Sequence, residues 1–322
     1  AEALLEKKIL KVSLKEDTTE RLYIEAVVQG GGHTGRCIIV KSHTNVVLIE
    51  KDGVASLKKE VAASEEADDH VEMSVKEIYE FAITIPFEEI SFLLEGAKMN
   101  RAVSQEGLRG DYGLRVGKAF SGALGGLMQP TLGGDIVAAA AAASDARMDG
   151  CPMPVMTTGG SGNQGITATL PVVCYAEDIG ASEEDLARAL ALSSLTSIYI
   201  KQSLGRLSAL CGCVVASTGA SAGLVHLMGG GFEEVCAAIK NMVANLTGMI
   251  CDGAKPACAM KITSGVSTAL MSAMLAMNGK CVTSQEGIVC DDIDRTVRNL
   301  TSIGREAMTE TDHLVLDIMV GK

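Results

Sequence analysis

Cys251-Asp-Gly-Ala-Lys-Pro-Ala-Cys258 places two thiols seven residues apart on a segment that Gly253 and Pro256 keep out of regular helix. Forty residues before it stands Cys211-Gly-Cys213. Two thiols on one loop can converge. A third from Cys211 or Cys213 would complete a set able to hold three irons of a cubane cluster, leaving the fourth iron open as a Lewis acid. Zinc fits less well, because neither C-x-C nor C-x6-C is its C-x-x-C knuckle. Free cysteine is also a common small buried hydrophobe, so spacing alone leaves a core role open for all four. Lys255, inside the cysteine segment, would offset the charge of a thiolate-bound cluster, bind a carboxylate, or stand as a solvated loop lysine.

A second constellation is Thr157-Thr158-Gly-Gly-Ser161-Gly162-Asn163-Gln-Gly165, just ahead of a helical pattern. Its unencumbered amides, its hydroxyls and the following helix N-terminus could hold a substrate carboxylate, with Thr158, Ser161, Gly162 and Asn163 as the candidate contacts. A phosphate loop fits less well, since the Gly-Lys-Ser/Thr ending and a preceding β-strand are both missing, while a plain helix-to-helix turn remains open. Asn100 and Ser104, four apart, would share one helix face as a second polar wall, or cap backbone groups near the helix end. His33, His43, His226 and His313 lack the i, i+4 partner of a helical zinc site. Cys37, Cys151, Cys174, Cys236, Cys281 and Cys290 read as structural thiols.

The elements that must position these groups change character along the chain. Short β-branched runs at Ile9–Leu14, Leu22–Val28, Cys37–Val40 and Val46–Ile49, punctuated by Gly30-Gly31-Gly32 and Asp52-Gly53, predict a small antiparallel sheet. Residues 56–69 read as a charged loop, and Ser74 as the cap of a helix from Val75. After Pro86 the spacing is helical, with helices predicted over Asp135–Ala146, Glu183–Tyr199 (capped by Ser182), Phe232–Leu246, Val266–Met277 and Cys290–Met308. The fold class is therefore α+β, a small antiparallel β-rich domain over residues 1–86 followed by a larger all-α helical domain over 87–322 that carries the chemistry. The small domain is expected to serve packing, dimerisation or regulation.

Of the 322 residues 47% are hydrophobic, yet aromatics are 3% and Trp is absent, so the core must be built from Ala, Gly, Met and small aliphatics. Such side chains suit close-packed helices. A net charge of −12 without a long basic cluster argues against a nucleic-acid partner. The longest strongly apolar run, Ile136–Ala143, is too short for a bilayer and is closed by Asp135 and Asp145. With no basic-then-apolar opening and ten cysteines unlike a secreted disulfide framework, the expected compartment is cytoplasmic. The start at Ala1, Met-less and inside an amphipathic pattern, leads to the expectation of a missing upstream segment.

Taken together, Thr-Thr-Gly-Gly-Ser-Gly-Asn-Gln-Gly at 157–165, Leu-Cys-Gly-Cys at 210–213, Met-Ile-Cys-Asp-Gly-Ala-Lys-Pro-Ala-Cys at 249–258 and Arg298-Asn-Leu-Thr-Ser-Ile-Gly304 resemble the L-cysteine desulfidase family, relatives of the iron-sulfur L-serine dehydratases. The resemblance covers nearly the whole chain. It implies an oxygen-sensitive 4Fe-4S cluster, no pyridoxal phosphate, and conversion of L-cysteine and water to pyruvate, sulfide and ammonia. It also implies that Cys251 and Cys258 take two ligand positions and Cys211 or Cys213 the third, with Cys211 favoured. The family's Gly-Cys-Thr-Glu-Pro motif, whose cysteine is thought to be the base, does not occur in these residues, so the base is expected upstream. L-serine dehydratase activity is the alternative of the same class. A non-catalytic iron-sulfur or redox-sensing protein is the alternative of another class, for which an intact cradle would be unnecessary. Expected partners are a small amino-acid substrate and further copies of the chain in a homo-oligomer, with no nucleic acid and no membrane.

Overall fold

The computed structural model describes residues 7, 9–15, 17, 18, 20, 22–42, 44–60, 71–122, 131–205 and 208–321. His43 and much of the expected 56–69 loop lie outside them. The described chain forms two compact units. One holds the residues up to Val71 and the segment from Leu314, and the other runs from Glu72 to His313.

The first unit is an antiparallel meander in the order β1 (Tyr23–Gly30), β2 (His33–Val40), β3 (Val46–Lys51) and β4 (Val54–Lys58). Gly31 and Gly32, both at positive φ, close the β1–β2 hairpin between the paired Gly30 and His33. Asp52 and Gly53 do the same between Lys51 and Val54. Two successive left-handed residues match the twist of the flanking strands, so Gly-Gly and Asp-Gly suit these turns. Two expectations fail here. Ile9–Leu14 forms no strand, and Ser56–Lys58 belongs to β4 rather than to a loop.

The second unit is helical: α1 (Val75–Thr84), α2 (Phe87–Ile90), α3 (Leu93–Arg109), α4 (Val116–Phe120), α5 (Leu132–Met148), α6 (Gly162–Ile179), α7 (Glu183–Leu204), α8 (Gly212–Leu227), α9 (Phe232–Asn245), α10 (Cys258–Met277) and α11 (Ile293–Ser302). A π-helical turn, Ile303–Ala307, follows α11, and a last helix, α12 (Thr309–Val320), begins in this unit and from Leu314 onward belongs to the first. Ser74 caps α1 through a full capping box with Glu77, and the Ser182 hydroxyl caps α7 at the Asp185 amide, 3.0 Å away. Val75, Ile78 and Ala82 of α1 lie in the helical core, so the change of unit falls before α1 rather than at Pro86.

Small residues decide the packing. Residues 136–146 of α5 are all buried, so this helix has no wet face and sits at the centre. A Cβ on Gly107 of α3 would stand 2.0 Å from the Ala142 carbonyl oxygen, and one on Gly219 of α8 2.2 Å from the Ser193 carbonyl oxygen of α7. Backbones approach that closely only through glycine. α10 begins at Cys258, two turns earlier than the pattern predicts, because Pro256 ends the irregular segment and its rigid ring is tolerated ahead of a helix. α11 starts after its Asp292 cap and loses α geometry at Ile303, beside Gly304, where a Cβ would stand 2.4 Å from Leu204 Cδ2. By length and composition α10 alone among the described helices is apolar enough to cross a membrane, and over half of it is buried within the unit.

Candidate active site

The Thr157–Gly165 motif forms a tight turn followed by a helix start. Thr158 and Ser161 pair through both backbone bonds, at 3.3 and 3.2 Å, around Gly159 (φ 57°) and Gly160 (φ 83°). The turn delivers Ser161 to the N-cap position of α6, yet its side chain makes no capping bond. The first intrahelical bond runs from the Gly165 amide to the Ser161 carbonyl, 3.0 Å, which leaves the Gly162, Asn163 and Gln164 amides without an intrahelical acceptor. Such a terminus carries partial positive charge and suits an anion. Gly165 is required, since a Cβ there would lie 2.0 Å from the Met156 carbonyl oxygen.

Asn100 and Ser104 hold this cradle rather than line it. Asn100 is wholly buried; its Nδ2 donates to the Met156 carbonyl (3.3 Å) and Thr169 Oγ1 (2.9 Å), and its Oδ1 accepts from the Met156 amide at 2.9 Å. The Ser104 hydroxyl, equally buried, donates to the Ala139 carbonyl at 2.8 Å and ties α3 to α5. Asn163 is also engaged, accepting from Ser144 Oγ at 3.4 Å and donating to Met148 Sδ at 3.3 Å. Thr158, Ser161 and Gly162 form the turn and the helix start themselves.

The cysteine segments meet through a backbone bridge between Leu210 and Ile250. The Cys211 amide donates to the Met249 carbonyl at 2.9 Å and the Cys251 amide to the Ala209 carbonyl at 2.6 Å. The pairing sets Cys211 and Cys251 close enough for their thiols, and that of Cys213, to affect one another's ionisation. Cys213 and burial raise the Cys211 pKa to about 11, with Cys251 acting in the opposite sense, while Cys211 and burial raise that of Cys251 further. Cys258 opens α10 with Sγ toward the Gly253 carbonyl at 3.7 Å. Among the described residues no three Cys, His, Asp or Glu side chains are gathered for a metal, so Cys211, Cys213, Cys251 and Cys258 are not assembled as a ligand set here.

Lys255 is not free to meet a ligand. It pairs with Asp252, donating also to its carbonyl at 2.8 Å, and Lys261 pairs with the same carboxylate. The two ammonium groups hold the Asp252 carboxyl at about 2. Three groups not assigned from the sequence lie at the junction of cradle and thiols. Gln164, 6% exposed, faces Gly159 with Oε1 and packs its amide end on Gly212, between Cys211 and Cys213. The stem of Lys201 covers Gly159; burial lowers its pKa, while Cys251, Asp312 and Cys211 act in the opposite sense. The Arg147 guanidinium lies on Gly162. A lone cation at the end of the apolar run 136–146, and another within apolar α7, were the available signals.

The serine dehydratase alpha chain profile matches residues 6–317. The chain belongs to the serine dehydratase alpha chain family. Its relatives include a UPF0597 protein of Bacteroides fragilis, 52% identical over 321 residues that make up 99% of this chain and 75% of that protein. A UPF0597 protein of Porphyromonas gingivalis is 49% identical over 333 residues, covering 100% of this chain and 76% of the relative. One of Clostridium perfringens is 44% identical over 325 residues, with 100% and 76% covered. Membership in the serine dehydratase alpha chain family agrees with the kinship read from the motifs and makes a lyase the coarse reading of the site.

Proposed function

We propose that the chain is an iron-sulfur β-eliminating lyase that releases sulfide from L-cysteine, giving pyruvate and ammonia. The observation that carries this reading is the backbone bridge between Leu210 and Ile250 that brings Cys211 and Cys251 together, with Gln164 of α6 packed on Gly212 beside Cys211.

The donors fit a cluster in their chemistry. Cys211 and Cys251 each follow a partner of the Leu210–Ile250 bridge, Cys258 follows within the same segment as Cys251, and Lys201 and Lys261 bring positive charge that would offset bound thiolates. Cys211, Cys251 and Cys258 would hold the cluster, with Cys258 turning from Gly253. When bound, its open iron supplies Lewis acidity to the β-substituent leaving group. The chain's own groups do the rest. The amides of Gly162, Asn163 and Gln164 hold the substrate carboxylate, with the unengaged Ser161 hydroxyl beside them. Asn100 fixes the Met156 backbone and so the entry to the turn. Buried Thr158 and Gln164 keep the carboxylate end dry.

L-serine is the second substrate reading, favoured by the family's description as serine dehydratase. Anaerobically reconstituted protein separates the two when sulfide, pyruvate and ammonia are measured with each amino acid. Faster turnover of L-cysteine supports the proposal; turnover of L-serine alone refutes it.

A further inference from the structure

Two side chains at the start of α6 have polar groups aimed at the cradle without a counterpart. Arg147, partly buried, places Nε 2.4 Å and Cζ 3.0 Å from the position a Cβ on Gly162 would take. Its one hydrogen bond runs from Nη1 to Met148 Sδ, 3.1 Å, and no carboxylate pairs with it among the described residues. A guanidinium is a planar fork suited to two parallel bonds with a carboxylate, and here it lies beside amides that also seek an acceptor. Gln164 is more than nine-tenths buried, and its Oε1 accepts from no donor among the described residues. That oxygen is 3.1 Å from the Cβ position of Gly159, while Cδ and Nε2 are each 2.8 Å from that of Gly212. A buried acceptor left without a donor is unfavourable and is uncommon in folded proteins outside ligand sites.

We infer that this end of the site reads the zwitterion of an α-amino acid, Arg147 binding the carboxylate and Gln164 Oε1 accepting a hydrogen bond from the α-ammonium. The inference rests on the proposed function only for direction. Gln164 Oε1 lies beside Gly159 while Nε2 of the same carboxamide faces Gly212, between Cys211 and Cys213, the side on which the β-substituent would then lie. The two contacts select different halves of the ligand. A carboxylate without an amine satisfies Arg147 alone, and an amine without a carboxylate satisfies Gln164 alone.

Calorimetric titration of the full chain, without added iron, tests this with L-alanine, propionate and ethylamine, none of which can undergo the elimination. The wild type is expected to bind L-alanine more tightly than either fragment. Arg147→Gln is expected to weaken L-alanine on the order of 30-fold or more while leaving ethylamine unchanged. Gln164→Met, similar in volume but with no carboxamide acceptor, is expected to weaken L-alanine on the order of 10-fold while leaving propionate unchanged. Arg147→Lys, which keeps the charge but not the fork, should fall between Arg147→Gln and the wild type. Circular dichroism and melting identify a variant that does not fold, in which case Arg147→Lys and Gln164→Glu carry the comparison. A wild type that binds none of the three, or an Arg147→Gln chain with wild-type preference for L-alanine over ethylamine, overturns the inference. If these ligand patterns appear while the chain retains no iron after anaerobic reconstitution, the inference stands and the cluster reading fails. If cysteine turnover is unaffected by both substitutions, the cluster reading stands and the inference fails.

Discussion

The Gln164 carboxamide rests on Gly212, whose neighbours on either side are Cys211 and Cys213, at 2.8 Å from the place a Cβ would occupy. Through this contact the start of α6 adjoins the Cys211–Cys213 segment that opens α8. Gly212→Ala is predicted to fold, because the residue is helical and its φ is not in the left-handed region. The added methyl must displace Gln164, so stability and ligand binding should both fall. In a double-mutant cycle with Gln164→Ala, urea melts should give a coupling of about 1–2 kcal/mol, since the smaller residue removes the clash. Additivity within ~0.3 kcal/mol would show that the two residues do not press on each other.

Asn100→Ala removes two hydrogen-bond donors and one acceptor from a fully buried place and strands both backbone groups of Met156. The expected loss is about 2–4 kcal/mol in urea unfolding, with weaker ligand binding because the Thr158–Ser161 turn loses its anchor. A loss below ~1 kcal/mol would mean that Asn100 does not hold the cradle.

Much of this architecture was readable from residue types. Gly31-Gly32 and Asp52-Gly53 announce hairpins because their left-handed φ is costly for most other residues. Ser74 and Ser182 announce helix starts because their hydroxyls meet orphan amides. Residues whose role depends on distant partners were not readable. Asn100 and Ser104 looked like a pocket wall, yet their bonds go to Met156, Thr169 and Ala139, which sequence spacing does not bring near. Lys255 looked available, but Asp252, three residues before it, claims its charge. Arg147 and Gln164 come into view only once Gly162 and Gly212 are seen to leave room for them.

Asp145 gives a pH prediction with a defined sign. Its carboxyl is buried on α5; it accepts from the Gly117 amide at 2.9 Å, while Oδ1 has no partner among the described residues. Burial raises its pKa, outweighing the lowering by the backbone amides of Gly117, Val116 and Leu114. The folded state therefore binds this proton more tightly than the unfolded state. The contribution grows as pH falls from above the folded pKa and is complete below the unfolded value near ~3.9. Asp145→Asn should lose that pH dependence and be more stable than the wild type at neutral pH. Urea midpoints of both proteins between neutral and mildly acidic pH check this; parallel curves would contradict it.

The thiols should separate by role. Cys211→Ser, Cys251→Ser and Cys258→Ser are predicted to lose most of the iron retained after anaerobic reconstitution. Cys213→Ser should keep it, because Cys213 lies inside α8 whereas Cys211 is the N-cap residue ahead of it. Iron retained fully by Cys258→Ser would remove Cys258 from the ligand set.

The most direct measurement is an anaerobic titration of iron and sulfide into the purified chain, with pyruvate and released sulfide from L-cysteine followed at each addition. The account predicts turnover that rises with bound iron and levels off near about four irons per chain, as a single 4Fe-4S cluster requires. Full turnover of L-cysteine by the iron-free chain, or a chain that retains no iron under these conditions, would contradict it.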